Sequence, residues 1–357
     1  MHIAMSRIID PFQQRQKPVT LQTIASRIGV STATVSLALR DSDSVAEATR
    51  EAVKVAAREL GYIYNRSAAS LRTSSTGIIG VAFHHLANPF LVEALTAIER
   101  SASAQRRSVI VAAMADDRQR QREVFERFKE YRLDGVILCS AMGSTVEDLE
   151  PLVDAGIPIA LMVREIKGAI IDYVGSDNAR GVTLAMQHLF DLGHRRIAMI
   201  GGPSAATTSF ARREGYRRFL ADNRLPNDPT LETEGPMFAE TGFLAIQRLV
   251  QQDNPPTAAV CFNDAMAFGA LNGLRFMGIE PGRDFSVVGF DDLKEAALVY
   301  PGLTTIRSGQ MEIGERATKL LFSRIADPDG PVRQIFLRPE LVVRGTTAPV
   351  PVRSTGA

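Results

Sequence analysis

Residues 19–39, VTLQTIASRIGVSTATVSLAL, constrain this chain more than any other stretch. Leu21, Ile24, Ala25 and Ile28 recur at helical spacing and give one short helix a single apolar stripe. Gly29 follows as a turn residue, and Ser31 offers a side-chain oxygen where a second helix starts. Val35 and Leu39 supply that helix's apolar face, leaving Thr32, Ala33, Ser36 and Leu37 off it. Two short helices joined by a tight turn containing Gly have the layout of a helix-turn-helix, whose second helix enters the DNA major groove. A helical hairpin inside a core has the same bare pattern, so the rest of the chain must separate the two.

Residues 45–60 read as a third helix, with Ala46, Val53, Ala56, Ala57 and Leu60 on its apolar face and Gly61 as its stop. From Gly77 the pattern changes. Short apolar runs at 78–83, 109–113, 136–139, 157–163, 197–200, 258–261 and 286–290 alternate with amphipathic helical stretches. The helices fall at 89–104, 118–131, 179–192, 212–223, 240–251 and 265–277. Such alternation predicts an α/β fold with parallel sheets. There is too much of it for one small sheet, so two similar lobes with a ligand cleft between them fit better.

The 357 residues are enough for two or three domains, and 45% hydrophobic with 23% charged content is ordinary for a globular chain. No apolar run is long enough to span a bilayer, and the first sixteen residues lack the apolar segment of a signal peptide, so a cytoplasmic location without membrane contact is expected. Cys139 and Cys261 lie in apolar strand-like runs and read as buried reduced thiols. Net charge is only +1, yet Lys and Arg outnumber Asp and Glu before Thr76. A basic front on a near-neutral body suits a protein that touches phosphates at one end.

Many ordered motifs now coincide. They are KPVTLQTIASRIGVSTATVS at 17–36, VAEATREAVKVAARELGYIYNRSAASLR at 45–72, TGIIGV at 76–81, NPF at 88–90 and LDGVIL at 133–138. LGHRRIAMIGG at 192–202, FNDAMAFGAL at 262–271, SVVGFDD at 286–292 and PGLTTI at 301–306 continue them. Together they resemble the LacI family of bacterial transcription regulators over residues 17–346. The resemblance implies a small all-α helix-turn-helix head at 17–64, after a flexible leader at 1–16. A hinge helix and linker follow at 65–75. A two-lobed periplasmic-binding-protein-like body at 76–346 precedes a flexible tail at 347–357. The chain is expected to cross between lobes near Gly175, Ile306 and Arg338. The first lobe then holds about 76–175 and 307–337, the second about 176–306 and 338–346. The tail has no leucine heptads, so a homodimer rather than a coiled-coil tetramer is expected.

By the same resemblance Thr20, Ser31, Thr32, Ala33, Thr34, Ser36 and Leu37 face operator DNA, and Asn65, Ala68 and Leu71 belong to the hinge. The family places a leucine at Leu71 that wedges into a minor-groove base step, and Ala68 allows two hinges to approach closely. A dimer of such heads reads a pseudo-palindromic double-stranded operator. Where the founding member of the family has Tyr, Gln and Arg, this chain has Thr32, Ala33 and Leu37. Without that Arg a bidentate guanine contact is lost, worth roughly 1–3 kcal/mol of discrimination, so the operator must differ. Tyr64 replaces the common proline ahead of the hinge.

In open α/β lobes ligands bind beyond the carboxyl ends of strands. Arg164, Phe262, Asn263 and Asp291 follow candidate strands, Asn88 comes after the strand at 78–83 and starts a helix with Phe90 close behind, and Arg212 stands in an RxxGY pattern at the expected head of a helix. Carboxylate, amide and guanidinium groups in one cleft suit the hydroxyls of a sugar or another small polar metabolite. Arg212, Asn263 and Asp291 match the family's effector-contacting positions. Several sugar-responsive members carry Asp where this chain has Val163, so no particular sugar transfers; a nucleobase or similar metabolite, or an activating role, is the alternative. Phe90 and Phe262 either stack on the ligand or fill the core. Asp264 is expected to cap the following helix, Asp292 to be a solvated neighbour of Asp291, and Arg212 to have Glu214 as its surface alternative. His84 and His85 are expected at the cleft mouth, facing solvent. No metal-ligand spacing, cofactor motif or hydrolase signature occurs, so no cofactor, metal or enzyme activity is implied.

Overall fold

A computed structural model of the chain describes residues 19–62 and 75–350. The expected hinge residues Asn65, Ala68 and Leu71, the leader and the end of the tail lie outside the described residues. The chain forms two compact units that divide after Ser74.

The head contains α1 (Leu21–Ile28), α2 (Thr32–Ala38) and α3 (Glu47–Glu59). Thr20 caps α1 through a reciprocal bond pair with Thr23, and Gly29 closes it at φ 72°, a left-handed conformation that suits a residue without Cβ. Ser31 Oγ accepts from Thr34 N at 3.0 Å and caps α2. Ile24, Val35, Ala38 and Val53 are fully buried and form the centre of the three-helix core. Two residues differ from expectation. Ser36 is only 5% exposed, and Leu37 is half-buried against the same core. A core this small draws on nearly every side chain that α2 does not turn fully outward. Thr20, Ser31, Thr32 and Ala33 remain exposed and Thr34 is half-buried.

The body starts with β1 (Ile78–Phe83), α4 (Pro89–Ala104), β2 (Ser108–Ala113), α5 (Arg118–Glu130), β3 (Gly135–Leu138), α6 (Glu150–Val153), β4 (Ile159–Met162) and β5 (Asp172–Ser176). A second set follows as α7 (Asn178–Asp191), β6 (Ile197–Ile200), α8 (Thr207–Asp222), β7 (Glu232–Thr233), α9 (Ala239–Val250), β8 (Ala258–Cys261), α10 (Asp264–Phe276), β9 (Ser286–Asp291) and β10 (Thr304–Arg307). The chain ends with α11 (Gln310–Ala326), β11 (Gln334–Leu337) and β12 (Glu340–Val342). Two six-stranded sheets result, in the orders β11-β5-β4-β3-β1-β2 and β12-β10-β9-β8-β6-β7. The chain therefore passes between sheets after β5, after β10 and after β11.

Every paired strand runs parallel to its neighbours except β12, which is antiparallel to β10. The direction follows from the path. β10 leaves the second sheet toward the first, and β12 returns from it after only Arg338 and Pro339. Helices cover both faces of each sheet, with α4 and α11 on one face of the first and α9 and α10 on one face of the second. Leu293 breaks this separation. It follows β9 of the second sheet yet sits 3% exposed in the core of the first, and Phe268 of α10 packs against both cores. Cys139 and Cys261 are both buried and free. No described helix is long and apolar enough to cross a membrane.

The α9–α10 pair shows how tightly the second lobe is built. A Cβ on Gly269 would collide with the Ala239 carbonyl, and one on Gly242 with the Met266 carbonyl. Gly269→Val is therefore expected to destabilise the body by ~1–3 kcal/mol or more through overpacking, read as a lower urea midpoint. An unchanged midpoint would contradict this packing.

Candidate functional site

The carboxyl ends of both sheets converge on one recess. From the first lobe come Asn88, Phe90, Val163 and Arg164; from the second, Thr208, Arg212, Met237, Phe262, Asn263 and Asp291. All seven residues expected to contact an effector line it. Its volume is about 40 Å³, room for no more than about three water molecules. It shares His84, Asn88 and Met237 with a larger cavity of about 470 Å³ at the cleft mouth.

Arg212 fills the centre. Its guanidinium lies 3.6 Å from the Phe290 ring centroid and 4.3 Å from that of Phe262. Nε donates to Asn178 Oδ1 at 2.8 Å, and Nη1 donates to the Phe262 carbonyl. Arg212 is not at the head of its helix, as expected from sequence; α8 begins five residues earlier, at Thr207. Its partner is Asp291 at 3.9 Å, not Glu214. Burial pushes the Asp291 carboxyl up to about 7, an effect the Arg212 charge offsets in part. Burial likewise pushes the guanidinium down to about 10.

Two strand ends around this centre are strained. Asp291, the last residue of β9, has φ 123° and Asp292 just beyond it φ 58°, while Val163 has φ 67° beyond β4. A β-branched residue at positive φ is an outlier, and each such residue costs roughly 1–3 kcal/mol that its surroundings must impose. At Val163 the bend delivers Arg164, whose guanidinium grips Asp116 at 2.5 and 3.1 Å and the Ser140 carbonyl at 2.9 Å. Burial alone would raise the Asp116 carboxyl, but the Arg164 bonds outweigh it and hold it below the usual range.

The helix ends differ from the sequence reading. Asn263, not Asp264, caps α10, accepting from Met266 N at 2.8 Å; its amide donates to the Met237 carbonyl at 3.3 Å. Asp264 is instead a buried brace that accepts from Leu293 N and Thr305 Oγ1, its carboxyl raised by burial and by Asp291. Asp292 is gripped by Arg307 at 2.9 Å and Arg344 at 2.6 Å rather than solvated. Asn88 caps α4, accepting from Phe90 N at 3.1 Å. Phe90 and Phe262 both sit in hydrophobic cores and both line the recess.

His84 lines both cavities but does not face solvent as expected. It is 3% exposed, with Nδ1 3.3 Å from Cys139 Sγ. Burial, then the Arg164 charge, push its imidazole down to about 3, and burial pushes the Cys139 thiol up to about 12. His84 is thus a neutral wall of the recess. His85 is half-buried, and its ring stacks edge-on with Phe238 of the second lobe, centroids 5.9 Å apart. Sequence reasoning missed Asp116 and Asn178, although the strand-end rule applied to β2 and β5 points to both. Among the described residues no group of three or more His, Cys, Asp or Glu is arranged to hold a metal.

Asp291 gives a pH test. Between pH ~4 and ~7 the native state keeps a proton that the unfolded chain has released, so this group's contribution to stability falls as pH rises through that window. His84 acts oppositely, stabilising above its unfolded value near 6.5 and losing that on acidification. Asp291→Asn is expected to remove only the first effect, so the wild-type Tm minus the variant Tm should decline from pH 5 to pH 8. Parallel curves would contradict it.

Comparison with known proteins agrees along the chain. Residues 20–65 match the bacterial regulatory proteins of the lacI family, and residues 186–347 match a periplasmic binding protein-like domain. The HTH-type transcriptional repressors PurR of Vibrio atlanticus and Vibrio parahaemolyticus are 31% and 32% identical over 330 residues, 92% of this chain and 98% of each relative. The lac repressor dimer bound to operator and the anti-inducer ONPF has a TM-score of 0.84 at 29% identity, over 93% of this chain and 100% of that one. The transcriptional regulator CelR–cellobiose complex gives 0.70 at 28%, over 92% and 99%. The chain belongs to the LacI family of bacterial regulatory proteins, and it is a DNA-binding transcriptional repressor.

Proposed function

We propose that this repressor is released from, or held on, its operator by a small polar effector, a sugar or sugar derivative, bound between the two lobes. One observation carries the reading: Asn88, Phe90, Arg164, Arg212, Phe262, Asn263 and Asp291 surround a single recess. Amide, guanidinium and carboxylate groups beside aromatic faces complement sugar hydroxyls and ring C–H surfaces. Solved relatives include regulators with bound cellobiose and ribose. A nucleobase is the second reading, favoured by the relatives named PurR and by the flat Phe262 face.

A sugar ring does not fit about 40 Å³, so entry requires Arg212 to leave its ring stack or the lobes to part. Effector binding is thereby coupled to lobe geometry, and operator and effector must change each other's affinity by one factor. The head at 17–64 reads one half-site, the segment 65–75 transmits, and the body at 76–346 senses; a homodimer reads a pseudo-palindrome. Thr20, Ser31, Thr34 and Asn65 act on the phosphate backbone, Thr32, Ala33 and Leu37 on base edges, and Leu71, beside Ala68, as a minor-groove wedge. Ser36, buried in the head, serves the register from inside the core.

A thermal-shift panel of neutral sugars, sugar acids and nucleobases is expected to find a sugar that raises Tm, since a ligand binding only the folded state stabilises it. Arg212→Ala should abolish that rise. The same sugar should alter a salt-sensitive gel shift on the promoter region of the protein's own gene. A response to nucleobases alone favours the second reading. For the wedge, Leu71→Ala should weaken operator binding and reduce bending in a circular-permutation gel assay; unchanged bending removes Leu71 from that role.

A further inference from the structure

Where the chain enters the sensor body, one carboxylate holds it. Asp134, just before β3, has a side chain only 4% exposed. Its Oδ1 accepts from Thr76 N at 2.7 Å and from Thr76 Oγ1 at 3.0 Å. Its Oδ2 accepts from Ser75 Oγ at 2.6 Å, from Gly77 N at 3.0 Å and from the Arg107 guanidinium. A carboxylate offers about four acceptor sites, so these donors saturate it. Burial alone would raise the Asp134 carboxyl, but the Ser75 and Thr76 bonds outweigh it and hold it below the usual range. Arg107 is held in turn over the Phe322 ring of α11, 5.3 Å from its centroid.

This clasp does more than start a strand. The β1 ladder begins at Ile78 and Ile79 and is made of main-chain bonds. Ser75, Thr76 and Gly77 lie upstream of it, where the first residues of a domain stay poorly ordered unless tied down. Gly77 fixes the path further with φ 70°, a bend that suits a residue without Cβ.

The three strands that build the clasp also end at the recess wall. β1 leads from Gly77 to His84, β2 from Arg107 toward Asp116, and β3 from Asp134 to Cys139. Near the clasp, Ser108 N donates to the Gly77 carbonyl at 2.9 Å and Asp134 N to that of Ile78 at 2.8 Å. Near the wall, Met114 N donates to the Phe83 carbonyl at 2.8 Å and Cys139 N to that of Ala82 at 2.9 Å. Clasp and wall are thus the two ends of one bonded ladder, and rigid elements of this kind carry coupling between distant sites.

We propose that Asp134 is a positioning residue of the repressor: it fixes where the segment 65–75 leaves the first lobe, and with it the half-site spacing that a dimer accepts. The inference rests on the homodimer and pseudo-palindrome readings above and adds the residue that sets their geometry. Without the clasp, residues 75–77 join the tether of each head and add up to roughly 10 Å of reach. That is about three base-pair steps of duplex, so spacing is the property that responds.

The test uses the full chain and duplexes enriched from random DNA by the wild type, read as gel shifts at one salt concentration. Each duplex is compared with a scrambled one and with a copy carrying two extra base pairs at its centre. The wild type is expected to bind the lengthened copy about ten-fold less tightly than the selected one. Asp134→Asn replaces one acceptor oxygen by an N–H donor. It is expected to cut that ratio to about three or less by weakening binding to the selected duplex, with scrambled binding unchanged. The double variant Ser75→Ala, Thr76→Val keeps the Asp134–Arg107 pair and is expected to act alike, so it reports even where Asp134→Asn fails to fold. Wild-type ratios in both variants would overturn the inference and leave the dimer reading standing. Equal losses on every duplex, in step with a lower Tm, would overturn it too, marking Asp134 as support for the fold alone. A wild type indifferent to spacing would overturn the pseudo-palindrome reading and this inference together.

Discussion

The interior of the sensor body depends on one buried guanidinium. A charge removed from water is tolerated only when paired and fully hydrogen-bonded. Arg212 meets that condition only in part, and with unusual partners. Two aromatic faces, one amide oxygen and one main-chain carbonyl surround it, and the Asp291 carboxylate stands 3.9 Å away. Three strand ends must hold station for this to work. β8 supplies Phe262 and its carbonyl, β9 supplies Phe290 and Asp291, and the turn after β5 supplies Asn178. The strained φ of Asp291 belongs to the same constraint, because an ordinary extended exit from β9 would carry the carboxylate elsewhere.

A second ion pair stabilises the opposite wall. Arg164 and Asp116 form a two-point bridge in which both side chains are almost wholly buried. The two walls thus have different character. The first lobe presents a closed, neutralised pair, while the second presents an arginine whose carboxylate is loosely engaged. Charge available to a ligand is concentrated on the second lobe, at the centre of the recess.

Much of this was legible from residue order, for physical reasons that also mark where legibility stops. Gly29 and Ser31 declare helix ends because capping is local chemistry, and they act as caps in the head; the Thr20 cap on the first helix was not read. β1, β6 and β8 are continuous apolar runs, since a strand buried on both faces leaves no room for polar residues. β5 and β10 hid because DYVGS and TTIR contain the Asp, Gly, Thr and Arg that usually mark turns. Their polar groups are satisfied by distant partners. Asp172 takes Arg324, and Thr305 reaches Asp264. His84 was misread for the same reason: its burial depends on Cys139, Arg164 and Asp116, which lie 30 to 80 positions away in sequence. That Arg164, Phe262, Asn263 and Asp291 line one recess could, by contrast, be read from strand ends, a topological rule that needs no knowledge of partners, whereas Arg212 came from its RxxGY pattern and the family resemblance.

Leu293 gives the body a property that its two-sheet topology conceals. The residue leaves the second lobe two positions after Asp291 and ends among the apolar side chains of the first. The lobes are consequently not interchangeable modules. A second lobe grafted from a relative would bring its own peg to a socket shaped by another history, and a mismatch there would be felt at the neighbouring carboxylate before any ligand arrived. The socket beneath α4 and the loop beyond β9 are thereby tethered in this chain, so a change of volume at either one loads the other.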